Sequence, residues 1–126
     1  MRAVDTNVLL RLIVGDDARQ TAAAEEFVER GVWASHLVLA ETVWVLERAY
    51  GFADSEIASA IERTLQADVL MVENEQEVFE AMIALKEGAG SFADALIAAL
   101  GAKAGCSRTL TFDQRAARLP GFELVS

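Results

Sequence analysis

Apolar and polar positions follow two rhythms along the chain. Short apolar runs at "RAV" (2–4), "VWA" (32–34), "VLMV" (69–72), "RTLTF" (108–112) and "FELV" (122–125) have strand length and few polar breaks. Between them lie longer stretches with helical spacing. "TNVLLRLI" reads as a short first helix. "ARQTAAAEEFVER" reads as a second, capped by Asp16 or Asp17 and stopped at Gly31. "HLVLAETVWVLERAY" follows with Ser35 as its cap and Gly51 as its stop. "ADSEIASAIERTLQA" places Ile57, Ala58, Ile61 and Leu65 on one stripe. "EQEVFEAMIALKE" ends at Gly88, and "FADALIAALGAKA" opens at Ser91. The short "QRAARL" segment leads to the sole proline, Pro120.

Strands that alternate with helices imply βαβ units. The expected fold is α/β, with a mainly parallel central sheet of four to five strands flanked by helices. No repeat or linker divides residues 1–126, so a single domain is expected. Ligands of such sheets bind beyond the carboxyl ends of the strands. Asp5 follows the first predicted strand and Asp113 the fourth, so both point at that edge.

Composition narrows the chemistry. Apolar residues make up 53% of the chain, which excludes a disordered polypeptide. No apolar stretch reaches membrane-spanning length and no basic leader precedes Asp5, so a cytoplasmic protein without a membrane partner is expected. The single cysteine, Cys106, cannot form an intrachain disulfide, and it reads as a small buried apolar residue. The single histidine, His36, excludes a histidine-rich zinc site and reads as a polar residue near a helix start.

The net charge of −9 argues against a nucleic-acid coat protein, but the charge is uneven. Residues 51–90 carry nine acids and two bases, whereas residues 91–126 carry three acids and four bases. A polyanion would therefore approach Arg11, Arg108, Arg115 and Arg118.

Four carboxylates stand where a core or a strand end is expected. Glu41 has Leu37, Val38, Trp44 and Val45 as its helical neighbours, which predicts a place on a buried stripe. There it needs compensation, and an ion pair with Arg48 would supply it. Asp94 is the sole acid of an otherwise apolar helix expected to be central and buried. It also stands at capping-box spacing from Ser91. Asp5 and Asp113 could each cap the helix that follows. Right-handed crossovers would nevertheless let all four meet at one sheet edge, where their repulsion calls for a hard divalent cation. Oxygen-only ligands suit Mg²⁺ or Mn²⁺.

"VDTNVLL", "LAE" at Glu41, "GSFADALIAAL" and "LTFD" resemble, in order and spacing, the motifs of the PIN-domain ribonucleases. The length and composition are similar to the VapC-type toxins of toxin–antitoxin pairs. This resemblance implies a PIN-like three-layer fold and an acidic site of Asp5, Glu41, Asp94 and Asp113 binding Mg²⁺ or Mn²⁺. It implies that Thr6, Asn7 and Thr111 orient ligands or metal-bound water. It further implies an RNA substrate, hydrolysis by metal-activated water, a cognate antitoxin and a homodimer. Gly101 departs from the family pattern, in which alanine is more usual, and would permit close packing.

Two other functions compete. A non-catalytic module could use the acidic pocket to accept a basic peptide. A receiver-type phosphoacceptor domain would need an Asp after a middle strand and a Lys after a later one. "VLMVEN" supplies only Glu73, and no Lys follows "LTF".

Overall fold

The computed structural model describes residues 1–125 and divides the chain into two compact units, Met1–Glu75 and Gln76–Ser126. Among the described residues, no helix is long and apolar enough to cross a membrane.

The first unit runs β1 (Arg2–Ala3), α1 (Thr6–Val14), α2 (Ala18–Val28), β2 (Val32–Ala34), α3 (His36–Arg48), α4 (Asp54–Gln66) and β3 (Leu70–Val72). Its three strands form a parallel sheet in the order β1-β2-β3. Ala3 pairs with Trp33, and Trp33 pairs with Met71. Because every pairing is parallel, the carboxyl ends of the three strands share one edge. Asp5, Ser35 and Glu73 all follow at that edge.

Local chemistry accounts for the helix starts. Asp5, Asp17 and Ser35 sit in extended backbone and accept hydrogen bonds from Val8 N, Gln20 N and Val38 N. Each satisfies one amide that the helix itself leaves without a partner. At the other end of α1, Gly15 takes a left-handed φ of 65° and its N–H donates to Arg11 O. A side chain there would meet the steric cost that glycine avoids.

The unit buries Leu9, Leu39, Leu46, Ile57 and Ile61 almost completely. Each such side chain contributes about 1.5–3 kcal/mol when fully buried. Buried Thr42 and Thr64 donate to the carbonyls of Val38 and Ala60, so neither hydroxyl is stranded. The predicted α4 stripe holds for Ile57, Ala58 and Ile61, joined by Ala60 and Thr64, while Leu65 lies at its half-buried margin.

The second unit contains α5 (Glu75–Lys86), α6 (Phe92–Lys103), β4 (Thr109–Thr111) and β5 (Phe122–Leu124), with a short 3₁₀ turn at Ala116–Arg118. The strands β4 and β5 pair in parallel, with Leu110 opposite Glu123. Among the described residues there are thus five strands, and every pairing is parallel. They are distributed as a three-stranded and a two-stranded sheet, so the expected four-to-five count is met in total rather than in one ladder.

Two glycines set the packing of this unit. A Cβ on Gly90 would come within 2.7 Å of Leu119 Cδ1, and one on Gly101 within 2.9 Å of Thr109 Oγ1. Gly101 therefore lets β4 approach α6 closely, as its unusual position in the helix suggested. Helix α6 departs from expectation in another respect. It buries Phe92, Ala95, Leu96 and Ala98, but Ile97 and Ala93 are exposed. It is half-buried, with one face in the core and the other exposed. Cys106 is also exposed rather than buried, since it follows the helix in the turn before β4.

Candidate active site

Asp5 occupies the second position beyond β1, after Val4, and it is exposed. Its Oδ1 accepts the Val8 amide at 3.1 Å, so the capping role open to it is realised. The next residue makes the long-range connection. Thr6 Oγ1 donates to Glu41 Oε1 at 2.7 Å, across 35 residues of sequence. A hydroxyl bonded to a carboxylate at this length is a charge-assisted contact. It fixes one oxygen of Glu41 and ties the start of α1 to the middle of α3.

Glu41 is not on the buried stripe. The buried face of α3 is Leu39, Thr42, Val43 and Leu46, and Glu41 projects on the opposite side, exposed. The helix is apolar nearly all round, so either face could have served as the inner one. Exposure removes the desolvation penalty that called for a compensating cation. Arg48 accordingly makes no ion pair with Glu41. Its guanidinium carbon lies 5.6 Å from the centre of the Trp44 ring. Trp44 is likewise no core residue, being 60% exposed, whereas Trp33 is half-buried in β2.

The second unit holds the other two acids through local contacts. Ser91 Oγ caps α6 by accepting the Asp94 amide at 3.1 Å, which places the half-buried Asp94 in the first turn. A carboxylate there is favoured by the helix dipole. Asp113 follows β4 and is exposed. Its N–H donates to Thr111 Oγ1 at 3.0 Å, and its Oδ1 accepts the Arg115 amide at 2.8 Å. Thr111 therefore orients the backbone of Asp113 rather than its carboxylate.

The remaining candidates divide. Asn7 is exposed in the first turn of α1. It borders a largely apolar cavity of about 390 Å³, lined also by Arg2, Arg11, Phe27 and Val32 but by none of the four carboxylates. Arg11 is engaged within the protein, at 2.5 Å from Asp16 Oδ1 and 3.2 Å from Tyr50 Oη. The hydrogen bond to the Tyr50 hydroxyl chiefly pushes its pKa further up; burial opposes that rise, and the Asp16 charge adds to it. Arg108, Arg115 and Arg118 are exposed.

One cluster at the strand edge escaped sequence reading. His36 does open α3, as expected, and its Nδ1 lies 2.8 Å from Glu73 Oε1. The same oxygen accepts the His36 amide at 3.1 Å. Asn74 Nδ2 stands 3.1 Å from the ring nitrogen, and Asn74 takes a left-handed φ of 54°. The available signal was positional, since His36 follows the cap Ser35 and Glu73 and Asn74 are the two residues after β3.

Among the described residues, no three His, Cys, Asp or Glu side chains stand together as a metal cage. The first unit offers two exposed carboxylates linked through Thr6. The second offers two more, each placed by local hydrogen bonds. All are hard oxygen donors, and among the described residues Glu41 Oε2 has no hydrogen-bond partner. That donor set fits Mg²⁺ or Mn²⁺ and suits soft metals poorly.

Comparison with known proteins adds one match. A family model described as PIN domain matches residues 2–121, a span that runs through both units. No curated protein matches the chain.

Proposed function

Because the chain belongs to the PIN domain family, whose members are generally metal-dependent nucleases, we propose that it hydrolyses RNA phosphodiester bonds as an endoribonuclease. Asp5, Glu41, Asp94 and Asp113 are the acids on which activity depends, and they bind Mg²⁺ or Mn²⁺. The observation that best supports this reading is the Thr6–Glu41 hydrogen bond. It joins the neighbour of one motif carboxylate to another carboxylate far away in sequence, which capping alone does not require.

A bound divalent cation would supply water activation and neutralise charge on the phosphoryl oxygens. The chain's own residues do the positioning. The α1 amide of Val8 holds Asp5 at the sheet edge. Thr6 restrains Glu41 so that its second oxygen stays available to a ligand, a supporting role of the kind that fixes ligating carboxylates in metal sites. Thr111 fixes the Asp113 backbone. Asn7 is available to hydrogen-bond a ligand or bound water. The exposed cations Arg108, Arg115 and Arg118 attract the phosphate backbone, with Arg11 contributing less because Asp16 already pairs with it.

In the cell, the chain acts in the cytoplasm as the VapC-type toxin of a toxin–antitoxin pair. It forms a homodimer and is held inactive by a cognate antitoxin. Support comes from the motif order, and a small antitoxin gene beside its own would strengthen the reading. The biochemical test is cleavage of single-stranded RNA with Mg²⁺ or Mn²⁺, its loss in EDTA, and its recovery on adding the metal back. Calorimetric titration of Mn²⁺ into the antitoxin-free protein provides the second arm. An absence of both heat and cleavage would favour the acidic-pocket binding module instead.

A further inference from the structure

We propose that Trp44, with Arg48 against its ring, is a platform on which a base of single-stranded RNA stacks beside Glu41. The inference rests on the nuclease reading and names how that site would hold its substrate.

Residues 37, 41, 44 and 48 follow one another at helical spacings of four, three and four, so they form one stripe along α3. The opposite face of the helix is buried. Within the stripe, Leu37 and Trp44 are 65% and 60% exposed and stand on either side of Glu41. Glu41 is the carboxylate that Thr6 holds. Arg48 lies against the indole at the far end, 5.6 Å from its centre.

Two partners could cover such a stripe, and the observations separate them. A second copy of the chain seated on the stripe would bury Leu37 and Trp44, but it would also cover the intervening Glu41, the carboxylate that the nuclease reading requires to be open to substrate. Single-stranded RNA needs what is present. A flat exposed aromatic face receives a base of any identity, and a guanidinium beside it meets the phosphate. The first unit carries fourteen acids against six bases, and Arg48 is the one residue of this stripe whose charge attracts a phosphate. Leu37 extends that surface past Glu41, so bases on both sides of the scissile phosphate would find apolar contact.

The test measures cleavage of a single-stranded oligoribonucleotide in Mg²⁺ by the full chain and its variants. Trp44→Ala is expected to raise KM about ten- to a hundredfold, the scale of losing one stacked base. Trp44→Phe, which keeps a ring, should recover most of that loss. Arg48→Gln should lower the salt dependence of KM by about one phosphate contact. The sequence has two tryptophans, so Trp33→Phe leaves Trp44 as the sole tryptophan, and its fluorescence, excited selectively over that of Tyr50, should be quenched when the oligonucleotide is added in EDTA. An unchanged KM in Trp44→Ala, or emission indifferent to saturating RNA, overturns the platform while leaving the nuclease reading intact. So does a Trp44→Ala protein that changes from dimer to monomer by sedimentation without RNA and keeps its KM. If the wild-type chain neither binds nor cleaves RNA, the nuclease reading falls and the platform with it.

Discussion

The two units hold their candidate carboxylates in opposite ways. In the first, the decisive tie is tertiary: Thr6 of α1 reaches Glu41 of α3 across 35 residues. In the second, every tie is local. Ser91 reaches Asp94 three residues on, and Thr111 and Arg115 reach Asp113 from two residues away on either side. The charge differs as well. Met1–Glu75 carries fourteen acids and six bases, and Gln76–Ser126 carries six and five. A polyanion therefore meets less repulsion at the second unit, where Arg108, Arg115 and Arg118 are exposed. A carboxylate that accepts a backbone amide through one oxygen still has a second oxygen to offer. Local geometry explains why Asp113 is held where it is, but it leaves open what the free oxygens serve.

The sharpest way to break this contrast is to neutralise one acid in each unit. Asn caps a helix about as well as Asp, and its side-chain oxygen accepts a turn amide as Asp does, so Asp5→Asn and Asp113→Asn should fold with little loss. If both carboxylates bind the metal, each change should reduce RNA cleavage by roughly a hundredfold or more, given the several kcal/mol that metal binding supplies. Single-turnover cleavage beside thermal unfolding measures both effects. Full activity in Asp113→Asn would reduce that residue to a cap and confine the chemistry to the first unit.

A smaller effect tests the tertiary tie. Thr6→Val keeps the shape of the side chain and removes the donor to Glu41. Loss of such a supporting bond lowers activity or metal affinity about ten- to a hundredfold. Thr111→Val makes the matched change in the second unit, where the hydroxyl serves only the Asp113 backbone. Cleavage and Mn²⁺ affinity should therefore fall more for Thr6→Val than for Thr111→Val.

Gly101→Ala tests packing in the second unit alone. The new methyl would stand 2.9 Å from Thr109 Oγ1. Overpacking costs about 1–3 kcal/mol, against a gain of about 1 kcal/mol in helix propensity. A net loss of stability is expected in urea unfolding. Combining the change with Thr109→Ala should remove it, since the clashing oxygen is gone.

Much of this molecule was legible in its sequence. The helix caps at Asp5, Asp17, Ser35 and Ser91 follow from residue type next to an apolar run, because a cap is a contact within three residues. The five strands and their parallel pairing follow from the alternation of short apolar runs with helices. What the sequence could not supply was which side of α3 faces inward. Leu37, Val38, Trp44 and Val45 outline one apolar stripe and Leu39, Val43 and Leu46 another, and only tertiary packing chooses between them. Assigning Glu41 to the wrong stripe led to the expectation of a buried ion pair with Arg48. The division of the strands into two ladders and the His36–Glu73 contact were hidden for the same reason. Each joins residues whose sequence separation carries no periodic signal.

The finest test concerns the two serine caps, which are chemically alike but differ in what they hold. Ser35 Oγ accepts the amide of Val38, an apolar residue, and Ser91 Oγ accepts the amide of Asp94. Replacing either with alanine should cost about 1 kcal/mol, read as a lower urea midpoint at constant slope. Activity should separate them. Ser35→Ala should lower cleavage only as far as it lowers the folded fraction. Ser91→Ala also loosens the first turn that carries Asp94, so its kcat should fall by more than unfolding explains. Equal and purely stability-linked losses would mean that Asp94 depends on helix α6 as a whole and not on its cap.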